Sequence, residues 1–206
     1  MNLIDENLWP ECLLTFLKVI KKSDLDKSIL DCGAGGRRPP LAFFKQLNFE
    51  TYGIDISQKS LELAKRYEND KNIILNIQYG DMRDLPFDDS SISFIYTQNS
   101  LCHISKKDHS IVINEINRVL KVGGYCLVDF MSAESSYCTE DEMGEIVGDN
   151  EYRMKDGDYH SFFVDNEPDN YFCNMNIFRV DKIITYLKNE QDPVRHVRYY
   201  YYAQKR

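Results

Sequence analysis

The sequence predicts an α/β fold in which helices cover both faces of a doubly wound, mostly parallel sheet. Short apolar runs alternate with amphipathic helical stretches between residues 28 and 131, the pattern of strands joined by crossover helices. The runs are nearly continuous in apolar residues, as expected of parallel strands buried on both faces. A chain of 206 residues can bury one full core, so we expect a single domain over residues 1–206.

The composition is that of a globular protein. Hydrophobic residues make up 43% and charged residues 28% of the chain, and no apolar run is long enough to cross a bilayer. The formal charge of −8 argues against a large nucleic-acid footprint, and the first residues lack a basic, signal-like start. We therefore expect a cytoplasmic protein without nucleic-acid or membrane partners. The oligomeric state is left open.

The six cysteines are scattered along the chain without a C-x-x-C pair. Several, such as Cys32 and Cys126, fall inside apolar strand-like runs. This placement predicts free, buried thiols and neither a disulfide framework nor a metal site.

The predicted elements of the first two thirds follow one another with short connections. An amphipathic helix over residues 10–21 places Leu13, Phe16, Leu17 and Ile20 on one face. After it come the strand SILDC, the helix PLAFFKQL, the strand TYGIDI, a helix capped by Ser57 (QKSLELAKRYEND), the strands NIILNIQY and ISFIYT, the helix KDHSIVINEINRVLKVGG and the strand YCLVDFM.

One more helix and one more strand are predicted near the C-terminus. The segment NIFRVDKIITYLKNE has helical spacing at its inward-facing apolar residues Ile177, Val180, Ile184 and Leu187. The last segment, PVRHVRYYYYAQKR, is predicted as a final strand. Its mixture of aromatic and basic residues also occurs on nucleic-acid surfaces, but a strand with alternating tyrosines explains it better.

A glycine-rich turn follows the first strand in the stretch ILDCGAGGRRPP. Glycines permit a turn that side chains would block and let a ligand approach the main chain, and Pro39 and Pro40 suit the first turn of a helix. An ordinary strand-to-helix connection is the alternative. In a doubly wound sheet the ligand crevice lies at the carboxyl ends of the strands, here just after Cys32, Asp55, Tyr79 and Thr97.

Two acidic residues stand at those strand ends. Asp55 ends the second strand about twenty residues after the turn, where a carboxylate can accept hydrogen bonds from ribose hydroxyls. Asp81, after the third strand, could meet an exocyclic amine while Met82 packs against a purine face. The structural alternatives are that Asp55 faces water or helps to cap the next helix, and that Asp81 closes an Asx-type turn.

Four stretches together carry a resemblance to a known family: ILDCGAGG, YGIDIS, GDMRDLPFDDSSISFIYTQNSLCHI and RVLKVGGYCLVDF. In this order and spacing they resemble the class I S-adenosylmethionine-dependent methyltransferases, in particular the small-molecule enzymes with domains of type 11 or 25. The resemblance covers residues 28–131. It implies a Rossmann-like sheet with an antiparallel C-terminal strand, S-adenosylmethionine as cofactor and S-adenosylhomocysteine as product.

The resemblance also implies roles for individual residues. The glycine turn would hold the amino-acid end of the cofactor, and Gln98 would lie along the methionine moiety. His103 is the candidate base or substrate-orienting group, and a role in packing or lining the site is its alternative. Asn99 and Ser100 could hydrogen-bond the substrate or the cofactor, with Asn99 as the candidate substrate contact. The implied cofactor-binding residues are Asp31, Gly33, Ala34, Gly35, Asp55, Ile56, Asp81, Met82, Thr97 and Gln98.

The chain departs from the family pattern at several points. Gly36 comes early and Arg37 stands where a glycine is common, so the two arginines of the turn are expected to point away or to meet an anionic substrate group. Ser93 stands where the family often has Asp. The fourth strand leads into TQNS rather than N/D-P-P-Y, which disfavours the DNA amino-methylating enzymes.

Residues 132–175 are predicted to cap the substrate side of the pocket, with Tyr159 and His160 as candidate substrate contacts. Core packing under a surface loop is the alternative for these aromatic residues. Two other functions stay open: a regulatory protein that binds the cofactor without turnover, and a nicotinamide-dependent oxidoreductase. The absent third glycine of G-x-G-x-x-G and the short chain disfavour the oxidoreductase.

Overall fold

The computed structural model describes residues 9–136, 144–187 and 194–206. Seven strands form the main sheet in the order β3-β2-β1-β4-β5-β10-β9. The first five are parallel to one another, whereas β10 pairs antiparallel with both β5 and β9. The strands are β1 (Ser28–Cys32), β2 (Glu50–Asp55), β3 (Ile77–Tyr79), β4 (Ile92–Tyr96), β5 (Leu120–Met131), β9 (Met175–Leu187) and β10 (Val194–Lys205). This confirms the predicted fold class.

Helices lie on both faces of this sheet. They are α1 (Glu11–Ile20), α2 (Leu41–Gln46), α3 (Gln58–Lys71) and α4 (Lys106–Val119). On one face, α4 packs against inward side chains such as Leu30, Ile95 and Val128. On the other face, α1 and α2 pack against Ile29 and Phe94. Because neighbouring residues of a strand point to opposite faces, strands covered on both sides must be apolar throughout, as the sequence indicates.

Several local predictions are confirmed within a residue or two. The four apolar residues of α1 are buried together, and Ser57 caps α3 by accepting a hydrogen bond from the Ser60 N–H at 3.3 Å. Two boundaries differ. Helix α4 ends at Val119, four residues before the glycine pair, and β5 begins at once. The third strand is only three residues long because Asn76 has a left-handed backbone, with φ of 58°, which interrupts the extended chain before it.

The predicted C-terminal helix is wrong: residues 175–187 form strand β9. The helical spacing of Ile177, Val180 and Ile184 is genuine, but the segment is also rich in β-branched residues, which favour strands. Antiparallel pairing with β10 along its whole length satisfies its backbone, so Val180 and Ile184 are exposed rather than inward. The side chain of Leu187 lies outside the described residues.

Between β5 and β9 the chain builds a second, smaller sheet. Strands β6 (Glu145–Gly148), β7 (Glu151–Arg153) and β8 (Tyr159–Ser161) form an antiparallel meander, followed by a 3-10 helix at Glu167–Phe172. This is the described part of the predicted cap; residues 137–143 lie outside the described ranges.

The described cysteines are free thiols. Cys12, Cys32, Cys102 and Cys126 are buried and Cys173 is exposed, whereas Cys138 lies outside the described residues. None of the helices in the described ranges combines the length and apolarity that crossing a bilayer requires.

Candidate functional site

A cavity of about 660 Å³ opens at the carboxyl ends of the parallel strands. Its floor comes from β1 and β2 and its sides from the loops that follow β3 and β4. Asp158 from the β7–β8 turn is also part of its lining. This is the edge at which the sequence predicts a ligand crevice.

The glycine turn after β1 is tied down by its own main chain. The N–H groups of Gly33 and Ala34 both donate to the Ile54 carbonyl at 2.9 Å, and the Gly36 N–H donates to the Ser60 carbonyl at 2.9 Å. These donors are used within the protein, so what the turn offers a ligand is close approach. At Gly33, with φ of 109°, a Cβ would lie 1.9 Å from the Ser100 Oγ.

Asp31 lies at the cavity floor with both carboxylate oxygens buried and without a hydrogen-bond partner among the described residues. Its side chain is 1% exposed, and burial raises the pKa of Asp31 to about 8. The nearby Tyr96 hydroxyl acts to lower the pKa of Asp31, but its geometry does not meet that of a full hydrogen bond to the carboxylate. A buried carboxylate without a partner is costly, which makes Asp31 a site for a cationic ligand group.

Asp55 fixes two neighbouring segments. Its Oδ2 accepts a hydrogen bond from the Gly35 N–H and its Oδ1 accepts one from the Ser57 N–H, each at 2.8 Å. The carboxylate therefore holds the glycine turn to the start of α3, and it also lines the cavity, where it has capacity to accept further hydrogen bonds. Beside it, Ile56 lines the cavity with 56% of its surface exposed.

Asp81 is engaged by a residue that the sequence analysis did not single out, Arg83. The Arg83 guanidinium donates a hydrogen bond of 2.7 Å to Asp81 Oδ2. The main-chain N–H of Arg83 donates to Asp81 Oδ1 at 2.9 Å, which closes an Asx-type turn. Arg83 also contacts Asp108 at 3.1 Å. Hydrogen bonding to Arg83 lowers the pKa of Asp81. Asp81, Met82 and Arg83 all line the cavity.

Gln98, Asn99 and Ser100 line the cavity in the loop after β4. The Asn99 N–H donates to the Asp129 carboxylate, which in turn accepts a hydrogen bond of 2.6 Å from Arg198 on β10. This buried pair supports the loop from below.

Other predicted residues lie behind the cavity wall. Thr97 and Ala34 are fully buried and are not part of the cavity lining, and Thr97 Oγ1 lies 3.5 Å from Asp129 Oδ1. Sequence reasoning missed Asp129 and Arg198. The signal for Asp129 was an acid inside an otherwise apolar strand, VDF, which requires a buried partner.

His103 lies in a 3-10 helix at the far end of the cavity, next to the second sheet. Its Nδ1 is 3.1 Å from Asp158 Oδ2, and His160 Nε2 is 3.4 Å from the same oxygen. Contact with Cys102, assisted by Asp158, raises the pKa of His103 to about 9. Burial, assisted by His103, lowers the pKa of His160.

Tyr159 points away from the cavity lining. Its hydroxyl donates a 2.6 Å hydrogen bond to Glu151 Oε1, the same atom that accepts the Lys106 N–H at 2.6 Å. Tyr159 thus braces the second sheet against the start of α4, while Asp158, which was not predicted, reaches the cavity.

Two structural observations indicate that the residues lining the cavity fit S-adenosylmethionine. Asp31 is a buried carboxylate without a hydrogen-bond partner in the described part of the chain, at the place where the cofactor's ammonium group would lie. Gly33 and Gly35 form a cradle that any Cβ would fill. The exposed Ile56 and the half-buried Met82 offer apolar surface for an adenine ring next to Asp81 and Asp55.

Comparison with known proteins agrees with this assignment. Residues 30–128 match the family described as methyltransferase domain. The 27-O-demethylrifamycin SV methyltransferase of Amycolatopsis mediterranei is 32% identical over 110 residues, 52% of this chain and 40% of that protein. The demethylmenaquinone methyltransferase of Staphylococcus saprophyticus is 35% identical over 75 residues, 36% of this chain and 31% of that protein. The chain thus spans less than half the length of these curated relatives.

Solved structures show the same fold across almost the whole chain. A SAM-dependent methyltransferase from Methanosarcina mazei superposes with a TM-score of 0.71 at 20% identity, covering 91% of this chain and 96% of that one. With the family match, this confirms the resemblance stated from the motifs. Residues 30–128 therefore match the methyltransferase domain family, and this match together with the shared fold supports the assignment to the class I S-adenosylmethionine-dependent methyltransferases.

Proposed function

We propose that this chain binds S-adenosylmethionine in the cavity and transfers its methyl group to a small-molecule acceptor. The observation that carries the proposal is the buried carboxylate of Asp31, without a partner in the described structure, beside the glycine turn. An ammonium group is a natural partner for such a carboxylate, since it supplies charge and hydrogen bonds together. The methionine end of the cofactor carries that group.

The other cofactor contacts follow from this anchor. Asp55 would accept hydrogen bonds from the ribose hydroxyls, and the adenine ring would lie between Ile56 and Met82 with its amino group at Asp81. Gln98 would run along the methionine moiety, while Ala34 and Thr97 shape the site from behind. When bound, the cofactor supplies a methyl group already activated on a sulfonium. The chain's own task is then to position the acceptor and exclude water.

The acceptor would enter at the end lined by Asn99, Ser100, His103 and Asp158. With a pKa of about 9, the His103 imidazole is protonated at neutral pH in the arrangement described. It would therefore donate a hydrogen bond to the acceptor and orient it. Removal of a proton by a base is required only if the acceptor nucleophile must lose one.

The small-molecule class of acceptor is supported by two observations. The names of the curated relatives are those of methyltransferases for rifamycin, menaquinone and sterol compounds. The cavity also has a volume of about 660 Å³, with Asp158 of the β7–β8 turn in its lining, and a site of this size suits a small molecule. We propose residues 132–175 as the cap of a single domain whose cofactor core is residues 28–131. In this cap Tyr159 acts as a brace. His160, which is not part of the cavity lining, acts at the substrate side through its contact with Asp158.

The proposal is tested first by binding and then by turnover. Thermal unfolding with S-adenosylmethionine, S-adenosylhomocysteine and NADH should show stabilisation by the first two only. Stabilisation by NADH alone would replace the proposal with an oxidoreductase. A screen of small hydroxyl, amine, thiol and carbon acceptors with radiolabelled methyl donor then measures transfer. Cofactor binding without transfer to any of these acceptors would favour the regulatory alternative.

A further inference from the structure

Three potential metal-ligating atoms converge where the β7–β8 turn meets the 3-10 helix after β4. Asp158 Oδ2 lies 3.1 Å from His103 Nδ1 and 3.4 Å from His160 Nε2, and all three atoms lie within 4.8 Å of one another. The histidine rings meet edge to face with centroids 5.0 Å apart.

These separations match those between neighbouring ligands of one metal ion. With metal–ligand bonds of about 2.0–2.2 Å, adjacent ligand atoms in tetrahedral or octahedral geometry lie about 3.0–3.5 Å apart. Both distances to Asp158 Oδ2 fall in this range. The remaining distance, between the two histidines, can shorten by rotation of His103, whose side chain is 42% exposed.

The surroundings hold two of the three groups in place. The Tyr159 N–H donates to Asp158 Oδ1 at 2.9 Å, which leaves Oδ2 directed at the histidines. The turn itself is closed by the Met154 N–H, which donates to the Asp158 carbonyl at 2.7 Å. His160 is largely buried and packs against Phe162 with ring centroids 6.1 Å apart. Such outer contacts are what orients the ligands of established metal sites.

We propose that His103, Asp158 and His160 bind a divalent transition-metal cation, with zinc as the type case. Two imidazoles and one carboxylate suit zinc and its neighbours, whereas magnesium and calcium prefer oxygen ligands alone. Only the neutral imidazole of His103 can bind the cation, so metal binding would release any proton that His103 carries. This site departs from the sequence-based expectation that no metal site is present.

The position of the cluster beside the cavity indicates what the cation would do in methyl transfer. His103 and Asp158 line the cavity, so three protein ligands would leave the open coordination position of a catalytic rather than a structural zinc site facing the acceptor end. A hydroxyl acceptor bound there would have its pKa lowered, so that it could lose its proton to water and take the methyl group as an alkoxide, with no side chain acting as the base. This use rests on the proposed function; the binding of the metal does not.

The test is zinc binding by the whole chain without cofactor. After treatment with a chelator and its removal, calorimetric titration with Zn²⁺ should give one site per chain, and Co²⁺ should give the visible absorption of a nitrogen- and oxygen-ligated ion. Asp158→Asn and His160→Gln should each weaken Zn²⁺ binding at least about tenfold. The matched control is Asp70→Asn, which removes an exposed carboxylate from α3 and should bind like the parent protein.

Two results would overturn the proposal. One is the absence of stoichiometric Zn²⁺ binding by the folded parent protein, which would leave the cluster an ion pair only. The other is binding that all cluster variants retain, which would mark an adventitious ion. Circular dichroism verifies folding, and His103→Gln replaces any variant that unfolds. Binding of S-adenosylhomocysteine is measured separately, so its failure would count against the proposed function and not against the metal site.

Discussion

Asp55 and Gly35, twenty residues apart in the chain, are joined by a hydrogen bond of 2.8 Å from the Gly35 N–H to Asp55 Oδ2. One carboxylate thus sets both the shape of the glycine turn and the place at which a ribose would be held. A disturbance of the turn should therefore be felt as a loss of cofactor affinity.

Gly35→Ala should weaken S-adenosylhomocysteine binding at least about tenfold and lower the melting temperature. The added Cβ would lie 2.4 Å from both Asp55 Oδ2 and the Ser60 Cβ, so the carboxylate or the helix must shift. Calorimetry measures the affinity. Arg37→Ala, which changes an exposed side chain in the same turn, is the control. Unchanged affinity in the folded Gly35 variant would contradict this placement of the cofactor.

Asp81→Ala should weaken S-adenosylhomocysteine binding by about 1.5–3 kcal/mol, because it removes a charged acceptor for the adenine amino group. The inosine analogue, which has an oxygen in place of that amino group, should bind the variant and the parent protein alike. Asp84→Ala, which removes an exposed neighbouring carboxylate, serves as control. An equal loss for both ligands would mean that Asp81 acts only through the loop that it closes with Arg83.

Binding of S-adenosylhomocysteine at pH 6.5 should release a proton from Asp31. In the free protein the raised pKa, about 8, keeps most of this carboxyl protonated. An ammonium group at the same place would lower the pKa, so the proton leaves as the ligand binds. Calorimetry in buffers of different ionisation enthalpy measures the release. It should vanish in Asp31→Asn and above about pH 9; a release unaffected by that substitution would remove Asp31 from the ammonium site.

His109 should make the stability fall between about pH 6.5 and pH 4. It is fully buried between Phe130 and Phe163, and burial lowers its pKa to about 4. Below the unfolded pKa near 6.5 the unfolded chain binds a proton that the folded protein does not, so the free energy of unfolding decreases as the pH falls.

The contribution of His109 is about 2 kcal/mol at pH 5 relative to pH 7.5. Urea unfolding at the two pH values measures it, with His109→Phe as the variant that keeps the aromatic packing. The parent protein should lose more stability than the variant over this interval. Parallel pH profiles would show that His109 titrates normally.

The part of the cavity that is proposed to hold the cofactor was predictable because its signals are local. Asp31, Gly33 and Gly35 follow one buried strand, and Asp55 ends the next. In a parallel sheet the carboxyl ends of neighbouring strands meet at one edge, so a correct strand pattern already brings these residues together. Two features were not visible in the local sequence pattern. Arg83 forms a salt bridge with Asp81, and the main-chain N–H groups of the glycine turn form hydrogen bonds within the protein.

The misassigned strand β9 shows the limit of periodicity. Its apolar residues fit a helical face, and a short apolar segment is ambiguous until its backbone finds a partner. Here the partner is β10, which supplies antiparallel hydrogen bonds from Met175 to Leu187.

The sequence by itself determined the sheet core, the crevice edge and the acidic and glycine residues that line the cavity there, because each depends on spacing within one strand and its following turn. Only the tertiary structure decided the acceptor end. Asp158 contacts His103, although helix α4 and strands β5, β6 and β7 separate them along the chain, and Asp129 pairs with Arg198 of the last strand. Such contacts depend on how distant segments pack, and no local pattern in either segment specifies its partner.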